Sequence, residues 1–106
     1  MTYRVIFAPS CLHNIDARLA YWREQQVADN AVQRWFDHLW SALERLETLP
    51  YAFPIDRFAT RASALPIRKV TLGDDLVFYQ IREAQREVWI VALVHGATRA
   101  EASDDR

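Results

Sequence analysis

The chain has 106 residues, 51% of them hydrophobic, so it is long enough to bury the core of one domain without disulfides or a structural metal. Its formal net charge of −1 gives the chain as a whole no electrostatic bias toward nucleic acid or an anionic membrane. One cysteine, Cys11, excludes an intramolecular disulfide and fits a reducing compartment, and the short apolar stretch at the N-terminus is not typical of a signal peptide. These features predict a cytoplasmic protein with no membrane segment.

The first predicted elements are a strand and an amphipathic helix. Residues 3–7 mix aromatic and β-branched types and stop before Pro9, which indicates a strand. Ser10 is the predicted N-cap of a helix whose apolar positions recur at spacings of three and four. These positions are Leu12, Ile15, Leu19 and Trp22, with Cys11 at their flank. The opposite, exposed face is predicted to carry Asn14, Ala17 and Tyr21.

A second amphipathic helix follows a short connection at residues 27–29. Asn30 and Gln33 have the spacing of a capping box at its start, and Pro50 ends it. Its apolar face covers nearly half the circumference and consists of Val32, Trp35, Phe36, Leu39, Ala42, Leu43, Leu46 and Leu49. A face this wide predicts packing against a sheet and the first helix together. Trp40 lies at the edge of this face and is predicted to be partly exposed.

The C-terminal half predicts a long loop and three strands. Residues 50–66 show no clean period and include three prolines, which is typical of a loop, and loops of this length are often functional. Strands are predicted at 67–72, 76–82 and Glu87–His95, separated by turn residues. The last strand is an apolar run without alternation, which indicates a central strand covered on both faces. The small and charged residues 101–106 are predicted to be disordered.

The order β-α-α-β-β-β predicts an α+β fold with two layers and a single domain over residues 1–100. A helical hairpin should pack on one face of a mostly antiparallel four-stranded sheet. Side-chain alternation in the third strand directs Val77, Tyr79 and Ile81 toward the helices. It leaves Leu76 and Phe78 on the open face, where an apolar patch ringed by arginines would mark a partner site.

No signature of a metal or nucleotide site occurs in the sequence. A Gly-rich phosphate loop, a nucleophile elbow and sets of Cys and His at metal-ligand spacing are all absent, so no metal or other cofactor is expected. His95 is the most informative titratable residue, because it sits where a buried strand surfaces, with Arg99 beyond it and Arg82 on the adjacent strand. This setting fits proton transfer or anion binding, and equally a histidine that makes a local hydrogen bond.

The order of elements, together with several segments, resembles the RelE/ParE superfamily of toxins from bacterial type II toxin–antitoxin systems. Residues 3–9 look like the opening strand of that family, and the helical hairpin ends near Pro50 as the family's does. Residues 66–68 precede 76–81 with similar spacing, and 91–96 look like the strand that closes the sheet. The resemblance covers nearly the whole chain and implies that the first strand lies beside the last.

Two activities of different classes follow from the resemblance. RelE-like members are metal-independent ribonucleases that cleave messenger RNA in the ribosome, which would make His95, Arg82, Arg68 and Arg61 catalytic. ParE-like members inhibit DNA gyrase by binding it, which would make Arg68, Arg82, His95 and Arg99 contacts to the target, grouped around one end of the sheet. Sparse basic residues and the slightly acidic balance favour the ParE-like interpretation, because a protein entering the ribosome gains from positive charge.

The resemblance also implies a protein partner. A cognate antitoxin would wrap the domain with an extended or helical tail and cover the apolar residues predicted to be exposed, which are Trp40, Tyr21, Leu76 and Phe78. A dimeric antitoxin would give a heterotetramer. A third alternative is an inactive member of the superfamily that only binds an antitoxin.

Overall fold

The computed structural model describes residues 2–95, and its four strands form one sheet. The strands are β1 (Arg4–Phe7), β2 (Arg68–Leu72), β3 (Asp75–Arg82) and β4 (Glu87–His95). Their order is β1-β4-β3-β2, with β1 parallel to β4 and the other neighbours antiparallel. The predicted α+β class and four-stranded sheet are confirmed, and β4 is central, between β1 and β3. The predicted tail at 101–106 and Arg99 lie outside the described residues.

The helices are α1 (Pro9–Glu24), α2 (Asp29–Thr48) and the single turn α3 (Arg57–Thr60). Both predicted caps are wrong, because each long helix begins one residue earlier than its expected cap and follows an alanine with no capping side chain. Ser10 lies inside the first turn of α1, and its hydroxyl donates to the Val91 carbonyl of β4 at 2.6 Å. Gln33 donates along the surface of α2 to Asp37.

The buried face of α1 is rotated from the predicted one. Cys11 is only 1% exposed, whereas Leu12 is 49% exposed. Asn14, expected on the outer face, instead accepts a hydrogen bond from the backbone N–H of Leu93 at 3.1 Å. The inward face is therefore the series Cys11, Ile15, Arg18 and Trp22, which includes an arginine. Apolar spacing alone assigned the wrong face because that arginine has a buried carboxylate partner.

The predicted core of α2 is confirmed. Leu39, Ala42, Leu43 and Leu46 are buried in a cluster with β-strand residues from the sheet, and Leu49 alone of the predicted set is exposed. Tyr79 points toward the helices as predicted, is fully buried, and donates its hydroxyl to the Pro50 carbonyl at 2.6 Å. Each such fully buried large side chain stabilises the fold by roughly 1.5–3 kcal/mol.

The second face of the sheet is less open than predicted. Phe78 does point away from the helices, yet it is only 5% exposed. The segment after α3 crosses this face, where the Ser63 hydroxyl accepts a hydrogen bond from Gln80 at 2.9 Å. Alternation gives the direction of Phe78 correctly, but alternation alone does not predict whether another part of the chain covers that face. The expectation of an exposed Phe78 is therefore wrong, while Leu76 is half-buried.

Residues 50–66 form an ordered connection along the outer edge of β2. The N–H of Asp56 donates to the Ile67 carbonyl at 2.8 Å, and the N–H of Lys69 donates to the Pro54 carbonyl at 3.0 Å. The Asp56 carboxylate caps α3 by accepting from the N–H of Phe58. These bonds hold the connection against the sheet without regular strand structure.

Candidate functional site

The predicted basic site residues do not converge. Arg82 pairs across the β3–β4 ladder with Glu87, whereas His95 pairs at the other end of the ladder with Asp75. Asp75 and Arg82 are seven positions apart along extended β3, which corresponds to about 23 Å. The expectation that Arg82 and His95 lie near each other around one end of the sheet is therefore wrong.

The arginines make separate local contacts. Arg82 stacks over the Trp89 ring with its guanidinium carbon 4.1 Å from the ring centroid. Arg68 donates to the Phe53 carbonyl at 2.6 Å, and it pairs with Tyr79, so it does not share a sheet face with Arg82. Arg61 lies in the connection beside Phe58. The three arginines therefore contact different parts of the protein and do not form one basic site.

A buried carboxylate organises the end of the sheet where His95 lies. Asp75, 3% exposed, accepts two hydrogen bonds from the Arg18 guanidinium at 3.0 and 2.6 Å. The indole N–H of Trp35 donates to it at 2.7 Å, and His95 Nδ1 lies 3.2 Å away. We call Arg18, Trp35, Asp75 and His95 the Asp75 cluster. Sequence patterning does not reveal it, because Asp75 falls between the two predicted strands 67–72 and 76–82, where turn residues are expected.

The negative charge of Asp75 determines which groups of the Asp75 cluster donate hydrogen bonds. Burial by itself would raise the pKa of Asp75, but the hydrogen bonds from Arg18, Trp35 and His95 together hold that pKa below its usual value. An ionised carboxylate only accepts hydrogen bonds, so Nδ1 of His95 is the donor. Nε2 is left on the other side of the ring. A cavity of about 320 Å³ adjoins the Asp75 cluster, and it is lined by Arg18, Tyr21, Trp22 and His95.

A second carboxylate organises the opposite end of the sheet. Glu83 Oε1 accepts hydrogen bonds from the hydroxyls of Tyr3 at 2.8 Å and Tyr51 at 2.7 Å. Arg86 donates to the other oxygen at 2.8 Å and stacks over the Tyr3 ring. We call Tyr3, Tyr51, Glu83 and Arg86 the Glu83 cluster. The hydrogen bonds from Tyr51, Tyr3 and Arg86 lower the pKa of Glu83, and the bond to Glu83 raises the pKa of each tyrosine.

A groove of about 730 Å³ lies between β1 and α2, next to the Glu83 cluster. Its lining includes Val5 and Phe7 on β1, Trp40 on α2, and Arg86 at one end. Arg4 and Ala8 direct their N–H groups to β4, so the alternate residues Val5 and Phe7 direct theirs to the free edge of the sheet. An edge strand with unpaired backbone groups beside an exposed tryptophan is a surface on which another chain can dock.

The four residues predicted to contact an antitoxin occupy three separate places. Trp40 is 59% exposed and Tyr21 is also exposed, as predicted. Trp40 faces the groove, Tyr21 lines the cavity beside His95, and Leu76 with Phe78 lies on the second sheet face. Only a partner that wraps the domain could reach all three.

Sequence signals existed for part of what was missed. Arg18 falls in register with Cys11, Ile15 and Trp22, and an arginine on a buried helix face requires a carboxylate partner. That rule would have led from Arg18 to a search for Asp75. No comparable signal marks the Glu83 cluster, because Tyr3, Tyr51 and Glu83 come from three distant segments.

Among residues 2–95, no helix combines the length and apolar character needed to cross a bilayer. A scan against protein-family models finds no match for this chain. A search of curated proteins likewise finds no match.

Proposed function

We propose that this protein is a ParE-like toxin of a type II toxin–antitoxin system, which inhibits DNA gyrase by binding and is neutralised by a cognate antitoxin. The proposal rests first on the resemblance to the RelE/ParE superfamily in the order of elements. A helical hairpin on one sheet face and a first strand beside the last strand are compatible with it.

The separation of the basic residues is the observation that carries the choice of activity. RNA cleavage needs a base, an acid and cations around one phosphate, within hydrogen-bond reach of the reacting atoms. Arg82 and His95 are about 23 Å apart along the strands, far beyond that reach. Arg68 is engaged with backbone carbonyls of the connection. Inhibition by binding requires no such convergence.

The groove beside β1 supports the antitoxin part of the proposal. A tail segment lying there would pair with the free backbone groups of Val5 and Phe7 and cover Trp40. Arg4 already pairs with Glu87, and Arg86 pairs with Glu83, so backbone pairing and the covering of Trp40 would hold the tail rather than an unpaired cation. Tyr21 and Leu76 would be covered only if the tail continued around the domain.

One observation favours a second candidate function, the RelE-like ribonuclease. Asp75 holds the imidazole of His95 by Nδ1, which leaves Nε2 to act as a general base or acid. In that case His95 is the catalytic residue, and Asp75 positions it.

The resemblance implies that a short gene just upstream encodes the antitoxin, and expression of the chain with and without that gene tests the proposal. We expect growth arrest without the upstream gene and relief with it, together with loss of gyrase supercoiling by the purified protein. Ribosome-dependent mRNA cleavage without any effect on supercoiling would favour the ribonuclease instead. If cleavage is found, His95→Ala tests the catalytic role of His95, because losing a general acid or base lowers cleavage by about 10²–10⁴-fold. Absence of both activities, with no binding to the upstream product, would exclude both.

A further inference from the structure

The connection between α2 and β2 carries most of the large hydrophobic side chains that are exposed among residues 2–95. Of the eight large hydrophobic side chains exposed among the described residues, five belong to it: Leu49, Tyr51, Ile55, Phe58 and Leu65. Phe58 is the most exposed of all eight, at 63%. Monomeric proteins scatter such side chains singly, and a concentration in one segment marks an interaction surface.

Backbone and side-chain bonds hold these residues around the start of β2. The Tyr51 carbonyl accepts from Arg68, and Ile55 forms a bridge with Arg68. Thr60 accepts from the N–H of Ile67 at 2.9 Å, which fixes the end of α3 beside the same strand. Phe58 and Leu65 lie two residues from these anchors, so the apolar side chains gather in one region.

The same segment is basic, in contrast to the rest of the chain. Residues 49–67, between α2 and β2, contain two arginines and a single carboxylate, so their formal charge is +1, and Arg68 and Lys69 follow at the start of β2; the whole chain carries −1. The carboxylate is Asp56, which is buried and caps α3. Arg57 and Arg61 are both exposed, and the Arg61 guanidinium carbon lies 5.9 Å from the centroid of the Phe58 ring. Cationic and apolar groups are thus presented together.

We infer that this region docks an acidic segment of a protein partner that carries large apolar side chains. We call it the connection surface, and it consists of Tyr51, Ile55, Arg57, Phe58, Arg61 and Leu65. The inference is independent of the proposed function, since the residues that line the groove beside β1 are different ones. Carboxylates of the partner would pair with the exposed arginines, and its apolar side chains would cover the exposed rings and aliphatic groups.

A protein segment fits the connection surface better than a nucleic acid. Nucleic-acid interfaces are strongly cationic and polar, and their apolar residues are mainly rings on which bases stack. Ile55 and Leu65 offer no ring, and they contribute exposed aliphatic surface that only apolar side chains would cover. Arg68 is already engaged with two carbonyls, which leaves few cations for phosphates.

Nuclear magnetic resonance titration of the full chain tests the inference. The probes are a synthetic peptide of alternating Glu with Leu and Phe, the same peptide with Lys in place of Glu, and single-stranded oligouridine. We expect the Glu peptide to shift amide signals within residues 51–69, and the Lys peptide to leave them unchanged. Shifts produced there by oligouridine and not by the Glu peptide would identify a nucleic-acid site and overturn the inference.

Paired charge reversals locate the binding. Arg57→Glu combined with Arg61→Glu should lower the affinity for the Glu peptide by about tenfold or more, because the two reversed charges repel its carboxylates. Arg23→Glu with Arg34→Glu, which reverses two exposed arginines on α1 and α2, is the matched control and should bind as the original chain does. Phe58→Ser combined with Leu65→Ser tests the apolar side chains of the connection surface. This pair should weaken binding of the Glu peptide although the charge of the surface is unchanged. Equal weakening by the control pair, or no shifts within residues 51–69, would overturn the inference.

Discussion

The Asp75 and Glu83 clusters use the same chemistry in different surroundings. Each places a carboxylate at one end of the sheet, and each carboxylate accepts hydrogen bonds from an arginine and from aromatic side chains. Asp75 has a side chain that is only 4% exposed, whereas that of Glu83 is 52% exposed. The difference in burial determines what each cluster contributes to the protein.

Burial makes the Asp75 cluster structural. Removing one partner from a buried ion pair leaves the other charge without compensation, whereas an exposed pair is screened by solvent. Arg18 of α1 and Trp35 of α2 both meet Asp75, so the cluster ties the two helices to the sheet. The Glu83 cluster joins the start of β1, the turn after α2 and the β3–β4 turn, and its Tyr3 and Arg86 line the groove.

Removal of the two carboxylates should separate the clusters most clearly. Asp75→Ala is expected to lower the free energy of unfolding by about 3–5 kcal/mol, because Arg18 is left buried without its partner. Glu83→Ala should have a much smaller effect, because water replaces the carboxylate at the surface. Urea denaturation followed by circular dichroism measures both. Equal losses in the two variants would contradict the distinction drawn from burial.

Acidic pH should lower the free energy of unfolding, partly because Asp75 becomes protonated. Because the pKa of Asp75 is lowered in the folded state, its contribution is full above the ordinary carboxylate pKa of about 3.9 and is lost as the pH falls through the lowered value. Stability should therefore rise with pH across the acid range, and Asp75→Asn should flatten that rise. Unfolding free energies measured from about pH 2 to pH 6 test this. An unchanged slope in Asp75→Asn would remove Asp75 from the explanation.

Thiol modification of Cys11 should report opening at the Asp75 end. Cys11 is buried on α1, the helix that carries Arg18, and burial raises its pKa to about 11. The native thiol should react very slowly with a disulfide reagent at neutral pH, because both burial and protonation protect it. Asp75→Ala should accelerate the reaction more than about tenfold by favouring local opening of α1. Glu83→Ala serves as the control and should leave the rate close to that of the original chain.

The smallest expected change in stability concerns two residues whose backbone adopts the left-handed conformation. Gln26 and Arg86 both have φ of 54°, a conformation that costs side-chain-bearing residues about 1–2 kcal/mol. Gln26→Gly, just after α1, should raise the free energy of unfolding by about 0.5–1 kcal/mol after the entropy of glycine is subtracted. Arg86→Gly should give no such gain, because the arginine side chain holds Glu83 and Tyr3. Thermal denaturation distinguishes the two variants. A rise in stability for Arg86→Gly would mean that the contacts of Arg86 with Glu83 and Tyr3 do not stabilise the fold.

Sequence patterning alone determined the elements of the fold. The strands, both long helices, the central position of β4 and the buried face of α2 follow from local periodicity, since a wide apolar stripe or an apolar run has few ways to be buried. Alternation also placed Tyr79 in the core. These features depend on neighbours in sequence, which is why the chain by itself predicts them.

Only the tertiary structure decided the surroundings of the candidate site residues. The rotated face of α1, the burial of Phe78 and the distance between Arg82 and His95 all depend on which distant segments meet. Arg18 and Asp75 are 57 positions apart in the chain, and Tyr3 and Glu83 are 80 apart. A hydrogen bond between such residues leaves no periodic trace in the sequence, because its geometry is set by the packing of the sheet and helices.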